Sequence, residues 1–196
     1  MRIIGGTARG TPLRSLPVRA LRPMLDRVRE SLFNIIRDVV PGARVLDLFS
    51  GTGSLGLEAL SRGAATCVFV ESDRALAVLI AENARKCRLA DRCRVVEADV
   101  RDLPRRDAGD ADLPADLVFL DPPYATVSDE AGREGLFALL GELRGGWIAG
   151  GALLVLHHEP GCDLAWPPDL LRSTDQRVYG RSQLTFFQWA TGGGGD

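Results

Sequence analysis

The chain of 196 residues is 45% hydrophobic and 26% charged, and its formal net charge at pH 7 is -2. These fractions are ordinary for a water-soluble protein, and no apolar run approaches the roughly 20 residues of a membrane helix, so we exclude a membrane span. The first ten residues lack the apolar stretch of a secretory signal. We therefore expect a cytoplasmic protein with a single core.

Basic residues are concentrated in the first 40 positions, which carry eight arginines and three acidic residues, whereas acids predominate in the remainder. A basic segment on an acidic domain is typical of an arm that binds nucleic-acid phosphates. Short β-prone pieces broken by glycines predict a hairpin over residues 1–16, and the apolar spacing from Leu25 predicts an amphipathic helix that ends at Pro41. We expect Arg27 and Arg29 to lie off its apolar stripe.

Strands and helices alternate strictly after Gly42. The predicted strands cover residues 44–49, 66–71, 92–99, 115–121 and 150–158, and the predicted helices lie at about 55–61, 74–88 and 134–144. This alternation indicates βαβ units and a mostly parallel sheet with helices on both faces. A hairpin turning at Gly180–Arg181 follows. We predict a basic N-terminal extension over residues 1–40, one domain over 41–190 and a disordered tail over 191–196.

A glycine-rich loop, DLFSGTGSLGLE at residues 47–58, follows the first strand of this domain. Gly51 and Gly53 permit a tight turn and the close approach of a ligand, and the next helix begins with unpaired N–H groups. The same spacing is the dinucleotide fingerprint, in which Glu71 has the place of the ribose-binding acid. The loop alone therefore leaves the identity of the cofactor open.

Acidic residues also mark the ends of the first three strands, at Asp47, Glu71 and Asp99. The carboxyl ends of parallel strands meet at the ligand-binding edge of an open α/β sheet. A carboxylate after the second strand can accept hydrogen bonds from ribose hydroxyls, and one after the third can accept from an adenine amine. Together they describe an adenosine site.

The tetrapeptide Asp121-Pro122-Pro123-Tyr124 closes the fourth strand. An aromatic amine is a poor nucleophile because its lone pair is delocalised into the ring. Hydrogen bonds from its two hydrogens to the Asp121 carboxylate and the Pro122 carbonyl would favour a pyramidal nitrogen and stabilise developing positive charge. The prolines stiffen the loop, and Tyr124 offers a face on which an extruded base can stack. The pattern therefore indicates catalysis on an exocyclic amine.

DPPY after a DLFSGTG loop resembles the amino-methyltransferases with a (D/N)PP(Y/F/W) motif. The segments MRIIGG, RPMLDRVRESLFNII and VLDLFSGTGSLGLEALSRGA, with GALLVLHHE and YGRSQLTFF, resemble the RsmD family of 16S ribosomal RNA guanine methyltransferases. The resemblance implies an α/β class I (Rossmann-like) fold with seven strands, S-adenosyl-L-methionine as the cofactor, and methylation of the 2-amino group of one guanine. We expect a monomer whose partner is ribosomal RNA, either free or in an assembled or assembling small subunit.

These motifs together give three sets of candidate site residues. The catalytic residues are Asp121, Pro122, Pro123 and Tyr124. The residues expected to bind the cofactor are Asp47, Phe49, Ser50, Gly51, Gly53, Glu71, Ser72, Asp99 and Val100. The residues expected to bind RNA are Arg2, Arg9, Arg14, Arg22, Arg27 and Arg29.

No metal site is expected. The four cysteines include no CxxC pair, and His157 and His158 are adjacent strand residues whose side chains point to opposite faces. Neither pattern gathers ligands around one ion.

Other functions stay open at this stage. The glycine loop also fits a nicotinamide oxidoreductase, although DPPY has no use in hydride transfer. A DNA adenine or cytosine amino-methyltransferase would share DPPY, but the chain leaves little room for a separate target-recognition domain. A non-catalytic RNA-binding assembly factor is the third alternative.

Overall fold

The computed structural model describes residues 1–16, 24–105, 114–144, 146–162, 164, 166–167 and 170–190. In these parts of the chain, helices and strands follow one another as the sequence predicts, except after the fourth strand. They are α1 Asp26–Ile35, β1 Arg44–Leu48, α2 Ser54–Ser61, β2 Thr66–Glu71, α3 Arg74–Lys86, β3 Cys93–Glu97, β4 Ala115–Leu120, α4 Tyr124–Ser128, α5 Glu130–Glu142, β5 Ile148–His158, β6 Leu171–Tyr179 and β7 Ser182–Trp189. The predicted tail over 191–196 lies outside the described residues.

The strands form one sheet in the order β3-β2-β1-β4-β5-β7-β6. Neighbours from β3 to β5 are parallel, whereas β7 runs antiparallel to both β5 and β6. The predicted mostly parallel sheet and its final hairpin are confirmed. Strand order reverses beside β1, because β2 lies on one side of it and β4 on the other. Open α/β sheets bind ligands outside the carboxyl ends of strands at such a position.

Both faces of the sheet are covered, because successive side chains of β1 enter two different hydrophobic clusters. Val45 belongs to the same buried cluster as Leu57 of α2 and Ile80 of α3. Leu46 belongs to a second buried cluster, which includes Leu140 of α5. A parallel sheet buried in this way requires nearly continuous apolar strands, which explains why β1, β2 and β4 have buried residues at almost every position.

The N-terminal arm, which we define as residues 1–16, shares the core of the sheet. It forms a short antiparallel pairing between Arg2 and Pro12, and the Ile3 N–H donates to the Thr11 carbonyl at 3.0 Å. Ile3 and Leu13 are buried in the same cluster as α1 and α2. The predicted hairpin is therefore present as a short pairing, and the functional boundary predicted at residue 40 stays a prediction.

Polar contacts fasten the arm to α2. The carboxylate of Glu58, which is fully buried, accepts hydrogen bonds from the N–H groups of Ile4 at 2.7 Å and Gly5 at 2.8 Å. Gly6 has a φ of 74°, and a Cβ at this position would lie 1.8 Å from the Ser61 carbonyl oxygen. The arm therefore lies directly against α2.

The region after β4 differs from the predicted single helix over about 134–144. A short helix, α4, begins at Tyr124, and α5 begins at Glu130. The Asp129 side chain caps α5 by accepting a hydrogen bond from the Gly132 N–H at 2.9 Å. Gly132 and Gly135 interrupt the apolar periodicity of the first two turns of α5, which is why the pattern places the helix start too late.

Candidate active site at the carboxyl edge of the sheet

The loops after β1 and β4 meet at the point where the strand order reverses. Because the two strands are neighbours, the Asp121 N–H reaches the Leu48 carbonyl at 3.5 Å. The glycine loop over residues 49–53 and the Asp121–Tyr124 segment therefore border the same crevice. The structure brings the two sharpest sequence motifs together at the edge where this class of sheet binds ligands.

Glycines give the loop after β1 its shape. Gly51 and Gly53 have φ values of 55° and 75°, in the left-handed region where side chains are strained. Gly56 fits against β2, because a Cβ there would lie 2.5 Å from Cys67 Sγ. Phe49 has a φ of 59° despite its side chain, so the turn begins before the first glycine.

Two of the predicted acids hold this loop in place. Glu71 accepts hydrogen bonds from the Gly51 N–H at 2.8 Å and the Asp73 N–H at 2.9 Å. Asp47 is 1% exposed and accepts from the Gly56 N–H at 2.9 Å. Burial raises the pKa of the Asp47 carboxyl well above its ordinary value, and the Gly56 hydrogen bond opposes that rise. Asp47 therefore holds the backbone at Gly56, and Glu71 holds it at Gly51 and Asp73.

The remaining predicted cofactor residues have unequal access to the crevice. The Ser50 hydroxyl is buried, donating to the Asp47 carbonyl at 2.6 Å and accepting from the Val70 N–H at 2.9 Å. Ser72 is exposed beside Glu71, and Val100 is buried after β3. Asp99 accepts a side-chain hydrogen bond from Arg101, which lowers the pKa of its carboxyl. Asp99 is therefore a charged acceptor beyond the end of β3.

The catalytic candidates form a turn that leads into α4. Pro122 is buried, Pro123 precedes the helix, and Tyr124 is its first residue. The Asp121 side chain is 26% exposed, and its Oδ1 lies 2.8 Å from His157 Nδ1. Tyr124 Oη lies 3.4 Å from Nε2 of the same histidine, and the two rings meet edge to face with centroids 5.7 Å apart.

His157 is a site residue that the sequence analysis missed. The sequence pattern presents it only as a possible metal ligand, because the pairing of β4 with β5 is not visible in the sequence. Leu120 of β4 pairs with Leu156 of β5, so Asp121 and His157 follow at matching positions. The available signal was that each residue follows an apolar run, LVFL or LLVL, at the end of a predicted strand.

The predicted RNA-binding arginines divide into exposed and engaged groups. Arg2, Arg9 and Arg27 are exposed, whereas Arg14 is exposed but forms an ion pair with Glu82. The expectation for Arg29 is wrong, because its side chain is fully buried and Nη2 donates to the Arg2 carbonyl at 2.6 Å. Arg22 lies outside the described residues.

A cavity of about 260 Å³ lies between the arm and α1. It is lined by Arg2, Ile3, Ile4, Arg9, Gly10, Asp26 and Glu30. The cavity is therefore bordered by two exposed arginines of the arm, Arg2 and Arg9, and by two carboxylates of α1.

Within the described ranges, no helix is both long and apolar enough to cross a membrane. Nor do those ranges contain a group of three or more histidine, cysteine or acidic side chains that could hold a metal ion.

Comparison with known proteins places this site in a family. Residues 1–188 match the family described as Conserved hypothetical protein 95. A relative from Escherichia coli K12, named Ribosomal RNA small subunit methyltransferase D, is 39% identical over 164 residues, which cover 81% of this chain and 75% of the relative.

Solved structures share the fold. A protein from Escherichia coli has a TM-score of 0.81 at 34% identity, with coverage of 97% of this chain and 98% of that chain. An RNA methyltransferase from Salinibacter ruber, solved with S-adenosyl-L-homocysteine, has a TM-score of 0.60 at 21% identity and coverage of 89% and 97%. The expected class I methyltransferase fold is confirmed. The chain therefore belongs to the family described as Conserved hypothetical protein 95, and the resemblance to the RsmD family is confirmed.

Proposed function

We propose that this protein is an S-adenosyl-L-methionine-dependent methyltransferase that modifies the exocyclic 2-amino group of a guanine in bacterial small-subunit ribosomal RNA. The observation that carries the proposal is the Asp121 carboxylate beside the glycine loop. One of its oxygens lies 2.8 Å from His157 Nδ1, and the side chain is partly exposed. The name of the Escherichia coli relative supports ribosomal RNA as the substrate.

The glycine loop and nearby acids fit the proposed cofactor. Gly51 and Gly53 have positive φ values and no side chain that would keep a ligand away from the backbone. Glu71 would accept from the ribose hydroxyls and Asp99 from the adenine amine. The bound cofactor supplies a methyl group on a positively charged sulfur, and the carboxylates around the crevice favour that charge.

Asp121 and Pro122 would prepare the target amine for attack. Hydrogen bonds from the two amine hydrogens to the Asp121 carboxylate and the Pro122 carbonyl direct the nitrogen lone pair towards the methyl carbon. Transfer of the methyl group to this nitrogen would leave the cofactor as S-adenosyl-L-homocysteine, and the methylated nitrogen would lose one proton to solvent. The Asp121 charge stabilises the nitrogen while it is positive, which is where such a group contributes most to the rate.

Tyr124 and the arm would hold the RNA. The half-buried Tyr124 ring offers a stacking surface for a base extruded from its helix. Arg2, Arg9 and Arg27 are exposed and can contact phosphates. We further propose that the protein acts as a monomer in the cytoplasm on an assembled or assembling small subunit. The arm is held against the domain, and such a surface can bind RNA that is already folded.

Two measurements test the proposed function. Calorimetry should show binding of S-adenosyl-L-homocysteine, and tighter binding of a nicotinamide dinucleotide would contradict the methyltransferase assignment. Unmodified small subunits, their free RNA and duplex DNA should then be incubated with methyl-labelled cofactor. Mass spectrometry is expected to find N2-methylguanine in the subunits. Label on adenine or cytosine of DNA would favour DNA as the substrate. Preferential methylation of free RNA would contradict the small subunit as the substrate.

Sedimentation at the assay concentration tests the monomer. A single species near the chain mass of 21.1 kDa is expected. A stable species of twice that mass would contradict it.

A further inference from the structure

His157 lies beside the candidate active site, yet no step of the proposed chemistry uses it. Its side chain is 2% exposed at the end of β5. Nδ1 lies 2.8 Å from Asp121 Oδ1, and Nε2 lies 3.4 Å from Tyr124 Oη. Both ring nitrogens are therefore directed at residues of the catalytic segment.

The partners of the ring determine where its proton lies. A carboxylate only accepts hydrogen bonds, so Nδ1 carries a hydrogen and donates it to Asp121. In the neutral ring Nε2 is then an acceptor, and the Tyr124 hydroxyl is oriented to donate to it. One neutral tautomer thus satisfies both hydrogen bonds, the one from the Tyr124 hydroxyl to His157 and the one from His157 to Asp121.

These two hydrogen bonds restrict the terminal torsion of the Asp121 side chain. The terminal torsion of an aspartate is broad, so its carboxylate plane can rotate at little cost. A hydrogen bond from a buried ring to Oδ1 selects one plane, which leaves Oδ2 for another donor. The same ring lies edge to face against Tyr124, with 71° between the planes, and so fixes the base-stacking surface.

We propose that His157 is a positioning residue that orients the Asp121 carboxylate and the Tyr124 ring for the target base. The inference rests on the proposed function for its catalytic consequence. Its structural part, the protonated Nδ1 held by Asp121, stands on the geometry alone. His157 acts through Asp121 and Tyr124 and does not itself touch the amine.

The adjacent histidine provides an internal control. His158 is also buried, but its Nδ1 lies 2.7 Å from the Glu159 carbonyl and its Nε2 lies 2.8 Å from Thr185 Oγ1. These contacts involve no residue of the catalytic segment. Because the chain contains two histidines, a sample labelled with ¹⁵N-histidine gives signals from two rings only.

The first experiment is independent of enzymatic activity. Nitrogen NMR of the labelled protein should show His157 protonated at Nδ1. Asp121→Ala should shift that ring towards the Nε2-protonated tautomer while leaving the His158 signals in place. A His157 ring that is protonated at Nε2 in the unchanged protein, or that is insensitive to Asp121→Ala, would overturn the proposed contact.

The second experiment measures catalysis by three variants. His157→Ala should lower kcat about 100-fold, as expected when a reacting group loses its orientation, with S-adenosyl-L-homocysteine affinity unchanged. His157→Asn places an amide N–H near the position of Nδ1 and should recover much of the lost kcat. His157→Gln reaches the Nε2 position and should recover RNA KM more than kcat.

The control is His158→Gln, which should have the same kcat as the unchanged enzyme. Equal kcat values for His157→Ala and the unchanged enzyme would overturn the positioning role, as would equal loss in the Ala and Asn variants when both melt normally. If the Ala variant does not fold, the Asn and Gln variants and the NMR measurement decide the question. Failure of the unchanged enzyme to methylate any RNA would instead contradict the proposed function and leave the NMR result to judge the contact.

Discussion

The acids at the sheet edge differ from two arginines, Arg9 of the arm and Arg27 of α1, in how their charges are held. Glu71 is fixed by the N–H groups of Gly51 and Asp73, and Asp121 is fixed by His157. Arg9 and Arg27, in contrast, are exposed on the surface. Methyl transfer needs groups in one orientation, whereas phosphate binding needs charge that can adapt to the RNA backbone.

Substitution of Asp121 should produce the largest effect, because this residue is the fixed charge nearest the proposed chemistry. Asp121→Ala should lower kcat by about 1000-fold or more, since a group that stabilises developing charge is removed. Asp121→Asn should be the less damaging change, since it retains an oxygen acceptor. Steady-state kinetics with calorimetry for S-adenosyl-L-homocysteine checks this. Near-normal turnover of the Ala variant would show that the Asp121 carboxylate only caps the end of the strand and has no catalytic role.

Substitution of Glu71 should weaken cofactor binding and leave kcat at saturating cofactor unchanged. Glu71→Ala should weaken S-adenosyl-L-homocysteine binding by about 1.5 to 3 kcal/mol, because charged hydrogen bonds to the loop and the ribose are removed. Calorimetry measures the affinity, and a melting curve controls for loss of folding. A selective fall in kcat at saturating cofactor would place Glu71 with Asp121 instead.

Tyr124 should matter for capture of the base. Tyr124→Ala should cost about 1 to 3 kcal/mol, as for other stacking platforms, seen mainly in the KM for RNA. Tyr124→Phe, the matched control, keeps the ring and should retain most of the affinity. Equal KM values for Ala, Phe and the unchanged enzyme would show that no base stacks here.

Single arginine changes should have the smallest effect. Arg9→Gln should weaken RNA binding by about 1 kcal/mol at low salt and reduce the salt slope by about 0.7 to 0.9 for each phosphate that the variant no longer neutralises. Arg14→Gln should do less, because Arg14 is already paired with Glu82. Fluorescence titration at several salt concentrations measures the RNA affinity and the salt slope of both variants. A larger effect at Arg14 than at Arg9 would reverse the assignment of exposed and engaged charges.

Sequence reasoning succeeded where local backbone determines the outcome. The glycine loop, the hairpin turn at Gly180 and the position of Asp121 all follow from residues close in the chain. It missed His157 because the contact with Asp121 depends on strand register, and it misplaced Arg29 because that burial depends on how the arm crosses α1. Charge pattern alone does not distinguish a buried guanidinium from an exposed one.

The buried Glu58 carboxylate bears on how this protein could be re-engineered. A chimaera that exchanged only residues 1–16 would have to supply new N–H donors at the positions of Ile4 and Gly5, or leave the buried Glu58 carboxylate two hydrogen bonds short, with the Arg62 guanidinium still paired to it at 2.7 Å. It would also need a glycine opposite the Ser61 carbonyl. The arm and α2 would therefore have to be exchanged together in any transplantation of the proposed RNA-binding arm.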